Sequence, residues 1–85
     1  MRADELIQTA RGHVRDLGGV EVEAISGLAR GADEAWVVTT EALELARVPN
    51  TMDLMATYEI TLSDDGELRG FRRVGRYERA APAGR

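Results

Sequence analysis

Apolar residues near the start of the chain recur with the period of an α-helix. Between residues 3 and 17 they fall on one face at about 100° per residue, and polar residues occupy the opposite face. Gly18-Gly19 supplies a stop, because glycine accepts the left-handed conformation that ends many helices. The pattern predicts one helix over residues 3–17, whose apolar face consists of Ala3, Leu6, Ile7, Ala10, Val14 and Leu17.

From residue 20 onward the spacing of apolar residues changes to two, which is typical of half-buried strands. It predicts strands over residues 20–28, 36–47, 54–62 and 68–77. In the second strand the apolar parity switches at Leu43 and Leu45, which predicts a bulge or burial on both sides near Ala42. In the first strand, the alternation places a single set of residues on the apolar face: Val20, Val22, Ala24, Ser26 and Leu28.

The connections between these strands are short. Residues 31–34 and 63–66 have hairpin composition, and Asp65-Gly66 suits the positive φ angles that tight turns need. Sequential strands joined in this way pair antiparallel as a meander. We therefore predict a single α+β domain over residues 1–79, with the N-terminal helix packed on one face of a four-stranded antiparallel β-meander, and a disordered tail over residues 80–85. The predicted core contains Leu6, Val14, Leu17, Trp36, Leu54, Tyr58, Ile60 and Leu62.

Charge divides the chain into two unequal parts. Residues 1–67 carry a net charge of −9, residues 68–85 carry +5, and the whole chain carries −4. All eleven basic residues are arginine, so every cation can form planar, bidentate bonds to carboxylates, and no lysine chemistry is available. The fourth strand therefore either pairs with acidic neighbours or presents positive charge to a partner.

Composition limits the chemistry that this chain can perform. It has no cysteine and a single histidine, His13, so neither a disulfide framework nor a thiolate metal site is expected. His13 lies near the apolar face of the predicted helix, where a backbone hydrogen bond is the expected role. We expect no cofactor, no metal and no membrane span or secretory signal, which points to the cytoplasm.

Three carboxylates of the middle strands, Glu41, Glu44 and Glu59, are candidates for acid–base chemistry. A hydrolase would need two of them at a set separation in a cleft, which a four-stranded sheet with one helix does not obviously provide. A hairpin centred on residues 64–66 would instead place Glu59 opposite Arg72. We therefore predict no enzymatic activity, and cross-strand charge pairing for these carboxylates.

The fourth strand interleaves arginine with aromatic residues, and this composition supports more than one function. Arginine binds phosphate and aromatic rings stack on bases, which suits a small nucleic-acid-binding regulator. The acidic charge of the domain as a whole disfavours that interpretation and favours a protein-binding surface, in which arginine and aromatic residues are enriched. A small-ligand-binding module with an apolar pocket between helix and sheet is a third alternative. The candidate protein-binding residues are Arg69, Phe71, Arg72, Arg73, Arg76 and Tyr77.

Several runs of residues occur in a distinctive order along the chain. Trp36 stands alone at the head of a predicted strand, and Val20–Leu28 precedes it. Two further runs are Arg47–Glu59, which includes Val48-Pro49 and Asp53-Leu54-Met55-Ala56-Thr57-Tyr58, and Gly66–Tyr77. Together these runs resemble the gas vesicle synthesis protein O family (GvpO) over residues 5–79, most strongly in the last two.

The resemblance implies a non-enzymatic accessory protein of gas vesicle formation, present in the cytoplasm or associated with the vesicle. Its expected partners are other gas vesicle proteins, including the hydrophobic shell protein, which such an accessory would keep from aggregating. The family has no established active site, so no catalytic residue carries over. Because the first and fourth strands are predicted sheet edges, either could accept a strand from a partner or from a second copy in a homodimer.

Overall fold

The computed structural model describes residues 2–80 and has one α-helix and one sheet in that range. Helix α1 spans Ala3–His13 and continues into a π-helical turn over Val14–Gly18. The strands β1 (Glu21–Arg30), β2 (Trp36–Leu45), β3 (Leu54–Leu62) and β4 (Leu68–Glu78) form one antiparallel sheet in the order β1-β2-β3-β4. The predicted α+β fold, with a helix followed by a four-stranded meander, is confirmed.

The core lies between α1 and one face of the sheet, which we call the helix face; the opposite side is the open face. Leu6 and Ala10 of α1, and Val14 of the π-helical turn, are completely buried against residues of β2 and β3. Phe71 of β4, together with Val20, Val22, Ile25 and Trp36, packs against this cluster from its margins. The strand residues buried beneath α1 are Val38, Ala42, Ala56, Tyr58, Ile60 and Leu62.

Strand β1 departs from the predicted alternation because it contains two bulges. Its register with β2 shifts between Val22 and Ala24 and again between Ile25 and Gly27. Each extra residue reverses the side-chain parity of the residues after it, so Val22, Ile25 and Leu28 share the helix face at intervals of three. The predictions that Ala24 and Ser26 belong to the apolar face and Ile25 to the other face were therefore wrong.

The end of α1 also differs from the simple helical pattern. Leu17 was predicted to be in the core, yet 56% of its surface is exposed. The π-helical turn over Val14–Gly18 winds more slowly than an α-helix and carries Leu17 away from the apolar face. Gly19 then ends the helix with φ of 69°, which confirms the glycine stop.

The other predicted connections are confirmed. The β2–β3 register shifts between Leu43 and Leu45, so Glu44 forms the irregularity predicted near Ala42. In the β3–β4 hairpin, Gly66 has φ of 88° and its N–H donates to the Ser63 carbonyl at 2.9 Å.

The Ala80 N–H donates to the Thr51 carbonyl at 3.1 Å, and residues 81–85 of the predicted tail lie outside the described residues. None of the helices within residues 2–80 is long and apolar enough to cross a membrane.

Candidate functional site

A bulge in β4 distributes the predicted site residues over both faces of the sheet. Arg73 pairs with Tyr58 and Gly75 with Thr57, so Val74 is the extra residue between them. Alternation alone would separate Arg73 from Arg76, but the bulge returns both to the helix face. The six candidates therefore do not form one continuous surface: Phe71, Arg73 and Arg76 lie on the helix face, Arg72 and Tyr77 lie on the open face, and Arg69 occupies a second register shift.

On the helix face, Glu44 contacts three polar side chains, and together with them it forms what we call the Glu44 cluster. Arg73 Nη1 lies 3.2 Å from Glu44 Oε1, and Arg76 Nε lies 2.9 Å from Oε2. The Tyr58 hydroxyl donates to Oε1 at 3.3 Å. The Glu44 side chain is only 10% exposed, whereas both arginines are about half exposed. Burial, reinforced by the nearby Glu44 carboxylate, raises the pKa of Tyr58.

Phe71 supports this cluster from the same face. Its ring stacks on that of Tyr58, with centroids 5.3 Å apart and an interplanar angle of 28°. It is half-buried and packs against the core, so much of its surface is already used within the domain. Phe71 therefore holds Tyr58 in position, and only its exposed part is available to a partner.

Arg72 and Arg69 are the cations of β4 that point most freely into solvent. Arg72 lies opposite Glu59, as predicted, and its Nη2 approaches Glu59 Oε1 to 3.0 Å. Its side chain nevertheless remains 71% exposed. Arg69 is exposed and has no carboxylate within salt-bridge distance among residues 2–80. The prediction of cross-strand charge pairing is confirmed for Glu59 and Glu44, but it was wrong for Glu41, which has no arginine within salt-bridge distance among residues 2–80.

On the open face, a second carboxylate connects all four strands; we call it and its donors the Glu41 cluster. Ser26 Oγ donates to Glu41 Oε2 at 2.6 Å, and Thr57 Oγ1 donates to Oε1 at 2.6 Å. The Tyr77 hydroxyl also donates to Oε1, at 2.8 Å. Burial and this hydrogen bond raise the pKa of Tyr77 to about 12. The Tyr77 hydroxyl is therefore engaged within the domain.

A third group, the Arg79 cluster, joins the two outermost strands at one end of the sheet. Just beyond β4, Arg79 Nη1 and Nη2 form a bidentate pair with Glu23 of β1, both at 2.8 Å. Arg79 Nε donates to Asp53 Oδ2 at 3.0 Å, and the Arg47 N–H donates to Asp53 Oδ1 at 2.7 Å. This fork geometry is the strong form of an arginine–carboxylate contact.

The charges of the Arg79 cluster shift one another's pKa. The hydrogen bond from Arg79 lowers the pKa of Glu23 despite partial burial. The Arg47 backbone N–H lowers the pKa of Asp53, with a further contribution from Arg79. Both carboxylates in turn raise the pKa of Arg79. All three groups are therefore charged together near neutral pH.

Sequence reasoning did not find the Glu41 and Arg79 clusters. The Arg79–Glu23 contact joins residues 56 positions apart, and no periodic pattern along one strand reports such a contact. The bulges that determine which face of the sheet Ser26 lies on were also not visible in the alternation of apolar and polar residues. In the part of the chain that the structure describes, no group of three or more His, Asp or Glu residues is arranged to hold a metal ion.

This geometry defines a small two-layer α+β domain whose polar features are ion pairs and hydroxyl–carboxylate bonds that link the strands of its sheet. By its sequence, the chain belongs to the family described as gas vesicle synthesis protein GvpO, whose model matches residues 1–82. The resemblance found in the residues is thereby confirmed.

Curated relatives agree with the family assignment. Gas vesicle protein O of Streptomyces sp. (strain CB03234) is 46% identical over 87% of this chain and 57% of its own length. Gas vesicle protein O of Haloferax mediterranei is 33% identical over 82% of this chain and 50% of its own. Gas vesicle protein O1 of Halobacterium salinarum is 39% identical over 60% of this chain and 43% of its own.

The chain spans about half the length of the curated relatives that it matches. No solved structure matches the chain significantly.

Proposed function

We propose that this domain is a non-enzymatic accessory of gas vesicle formation that acts by binding other gas vesicle proteins. Membership of the GvpO family carries this proposal, since the family and all three relatives are named for gas vesicles. The setting is the cytoplasm, at the growing vesicle. The candidate surface is β4, where exposed arginines border half-buried aromatic rings.

The charge distribution supports a protein partner in preference to a nucleic acid. Arg72, Arg73 and Arg76 already hold carboxylates of the domain, which reduces the positive potential that a polyanion would encounter. The chain carries a net charge of −4. Exposed arginine beside aromatic surface is the composition enriched where protein interfaces carry their energy.

A pull-down against each gas vesicle protein encoded beside this chain tests the proposal. The informative variant is Arg72→Glu, and Arg15→Glu, in the turn that continues α1, is its matched control. Each arginine is mostly exposed and forms one ion pair, with Glu59 and Asp16 respectively. We expect one gas vesicle protein to bind, Arg72→Glu to weaken that binding, and Arg15→Glu to leave it unchanged.

Two outcomes would contradict the proposal. If no gas vesicle protein binds the unaltered domain, protein contact is not its function. If the domain instead binds a single-stranded oligonucleotide, with affinity that falls steeply as salt rises, the nucleic-acid alternative is correct. Equal binding by Arg72→Glu and Arg15→Glu would remove Arg72 from the site and leave the family role intact.

A further inference from the structure

The outer edge of β4 offers a more continuous backbone for strand addition than the outer edge of β1. Within residues 2–80 each of these strands has a sheet neighbour on one side only. In β1 the bulges lie three residues apart and break the register twice in the first part of the strand. In β4 two runs remain regular, Gly70–Arg73 and Gly75–Glu78. The strand β4 also has two bulges, at Arg69 and Val74, but it keeps two four-residue runs free for pairing whereas β1 keeps one, Gly27–Arg30, so β4 is the more receptive edge.

The arginines along this edge outnumber the carboxylates that they contact. Arg69 has no carboxylate within salt-bridge distance among the described residues, and Arg73 and Arg76 share Glu44. With Arg72 on Glu59, and with Glu78 at the end of the strand, four arginines are set against three carboxylates. The edge is thus locally positive in a chain whose net charge is −4. Charge complementarity therefore favours an acidic strand and opposes a second β4, which would place arginine beside arginine.

Gly75 leaves room on the open face of β4, beside this edge, that the domain itself does not use. A Cβ built on Gly75 meets no atom within 4 Å, and its φ lies outside the left-handed region. By contrast, a Cβ on Gly27 of β1 would lie 3.3 Å from Thr39 Oγ1, so close packing inside the domain explains that glycine. Glycine weakens a strand interior and often marks a place where another backbone approaches.

From these observations we propose that the outer edge of β4 binds an extended, acidic segment of another gas vesicle protein, which adds to the sheet as a fifth antiparallel or parallel strand. Backbone hydrogen bonds along Gly70–Arg73 and Gly75–Glu78 hold the segment, and its carboxylates pair with Arg69 and Arg72. Gly75 leaves space on the open face for a large side chain of the added strand. The identity of the partner as a gas vesicle protein rests on the proposed function.

The test uses overlapping synthetic peptides that cover each gas vesicle protein encoded beside this chain, with binding to the intact domain measured by fluorescence anisotropy. We expect the bound peptides to be acidic and extended. Arg69→Glu should weaken them about tenfold, because one attractive cross-strand pair is replaced by a repulsive one. Bound peptide should also slow hydrogen exchange at those β4 amides that are not bonded to β3.

Gly75→Val separates binding from stability. Valine favours strands and meets no clash here, so the midpoint of thermal unfolding should rise by about 3–8 °C. Its side chain fills the space on the open face that a large residue of the added strand would occupy, and should weaken the peptide about fivefold. The control is Ala29→Val, an exposed position on the opposite edge strand β1, which should leave peptide affinity unchanged.

Several results would overturn the edge proposal. The first is peptide binding that leaves hydrogen exchange at the β4 amides unchanged. The second is a Gly75→Val variant that binds the peptide as tightly as the unaltered domain. The third is a set of bound peptides that are basic. If full-length gas vesicle proteins bind in the pull-down but none of their peptides do, the proposed function stands and the edge proposal fails. If neither binds, both fail.

Discussion

Glu44 shows how strongly one side chain can determine the state of its neighbours. Its buried carboxylate compensates Arg73 and Arg76 and accepts the Tyr58 hydroxyl. A buried carboxylate is stable only when it is paired and hydrogen-bonded, and these three donors supply that environment. The cations in turn depend on it, because without Glu44 they would repel each other across a short distance.

Replacing Glu44 with alanine should therefore destabilise the domain. We expect the free energy of unfolding to fall by about 1–3 kcal/mol, since the Tyr58 hydroxyl loses its partner and two half-exposed cations lose their carboxylate. Urea titration followed by circular dichroism measures the change. The control, Glu67→Ala, removes an exposed carboxylate whose side chain forms no hydrogen bond or ion pair among residues 2–80. Equal losses in the two variants would contradict this role of Glu44.

Tyr77 should make stability depend on alkaline pH. Its pKa is about 12 in the folded domain and ordinarily 10.0, so its contribution is complete below pH 10 and disappears as pH rises through 12. The variant Tyr77→Phe should be about 1 kcal/mol less stable at pH 8 and should lose less stability between pH 10 and 12. Tyr58 is the other tyrosine of the chain, so the difference in tyrosinate absorbance between the unaltered domain and Tyr77→Phe follows the titration of Tyr77.

At the scale of elements, bulges determine which residues of a strand face the core. Two bulges in β1 and two register shifts in β4 replace strict alternation with intervals of three. As a result Ile25 reaches the helix face, and Arg73 and Arg76 reach Glu44 together. A bulge also twists and bends its strand, which brings the ends of edge strands closer to other elements.

The facing of β1 can be tested by substitution. Ile25→Ala should lower the free energy of unfolding by about 1–3 kcal/mol, because Ile25 is half-buried against the core. Ser26→Ala on the exposed side should cost no more than about 1 kcal/mol, the value of its hydrogen bond to Glu41. Thermal unfolding of both variants measures the difference. A larger loss of stability for Ser26→Ala than for Ile25→Ala would indicate the regular alternation that the sequence suggested.

Much of this architecture was predictable, and the exceptions share one cause. The predicted bounds of β3 are the same as those in the structure, because Leu54–Leu62 alternates without interruption and has turns at both ends. Leu17 and Ser26 were misplaced because a π-helical turn and a bulge each insert a residue that periodic patterns do not register. The pairing of Arg72 with Glu59 was predicted because a tight hairpin fixes the register. Contacts between distant elements, such as Arg79 with Glu23, require the assembled fold.

At the scale of the whole molecule, the Arg79 cluster connects the start of the sheet, the β2–β3 connection and the end of the chain. Glu23 belongs to β1, Asp53 precedes β3, and Arg79 follows β4. Asp53 is buried, so its charge depends on Arg79 and on the backbone N–H of Arg47. The cluster fastens the two edges of the sheet, which share no ladder hydrogen bonds.

This arrangement predicts how stability responds to acid. The pKa values of Glu23 and Asp53 are lowered from 4.5 and 3.8, so their contribution is complete at neutral pH and disappears as pH falls through the lower folded values. The unaltered domain should exceed Arg79→Gln in stability at pH 7. That difference should shrink as pH falls below about 4.5, as measured by urea titration across pH 7 to 3. A difference independent of pH would contradict the assignment.

The Arg79 cluster also bears on the cooperativity of unfolding. In a meander each strand bonds only to its sequence neighbours, and such an arrangement permits unzipping strand by strand from either edge. The bond from Arg79 to Glu23 closes a loop between residues 56 positions apart, so β1 reaches full stability only when the residues just after β4 are in place. Loss of β4 therefore loosens β1 as well, which favours all-or-none unfolding of this small domain.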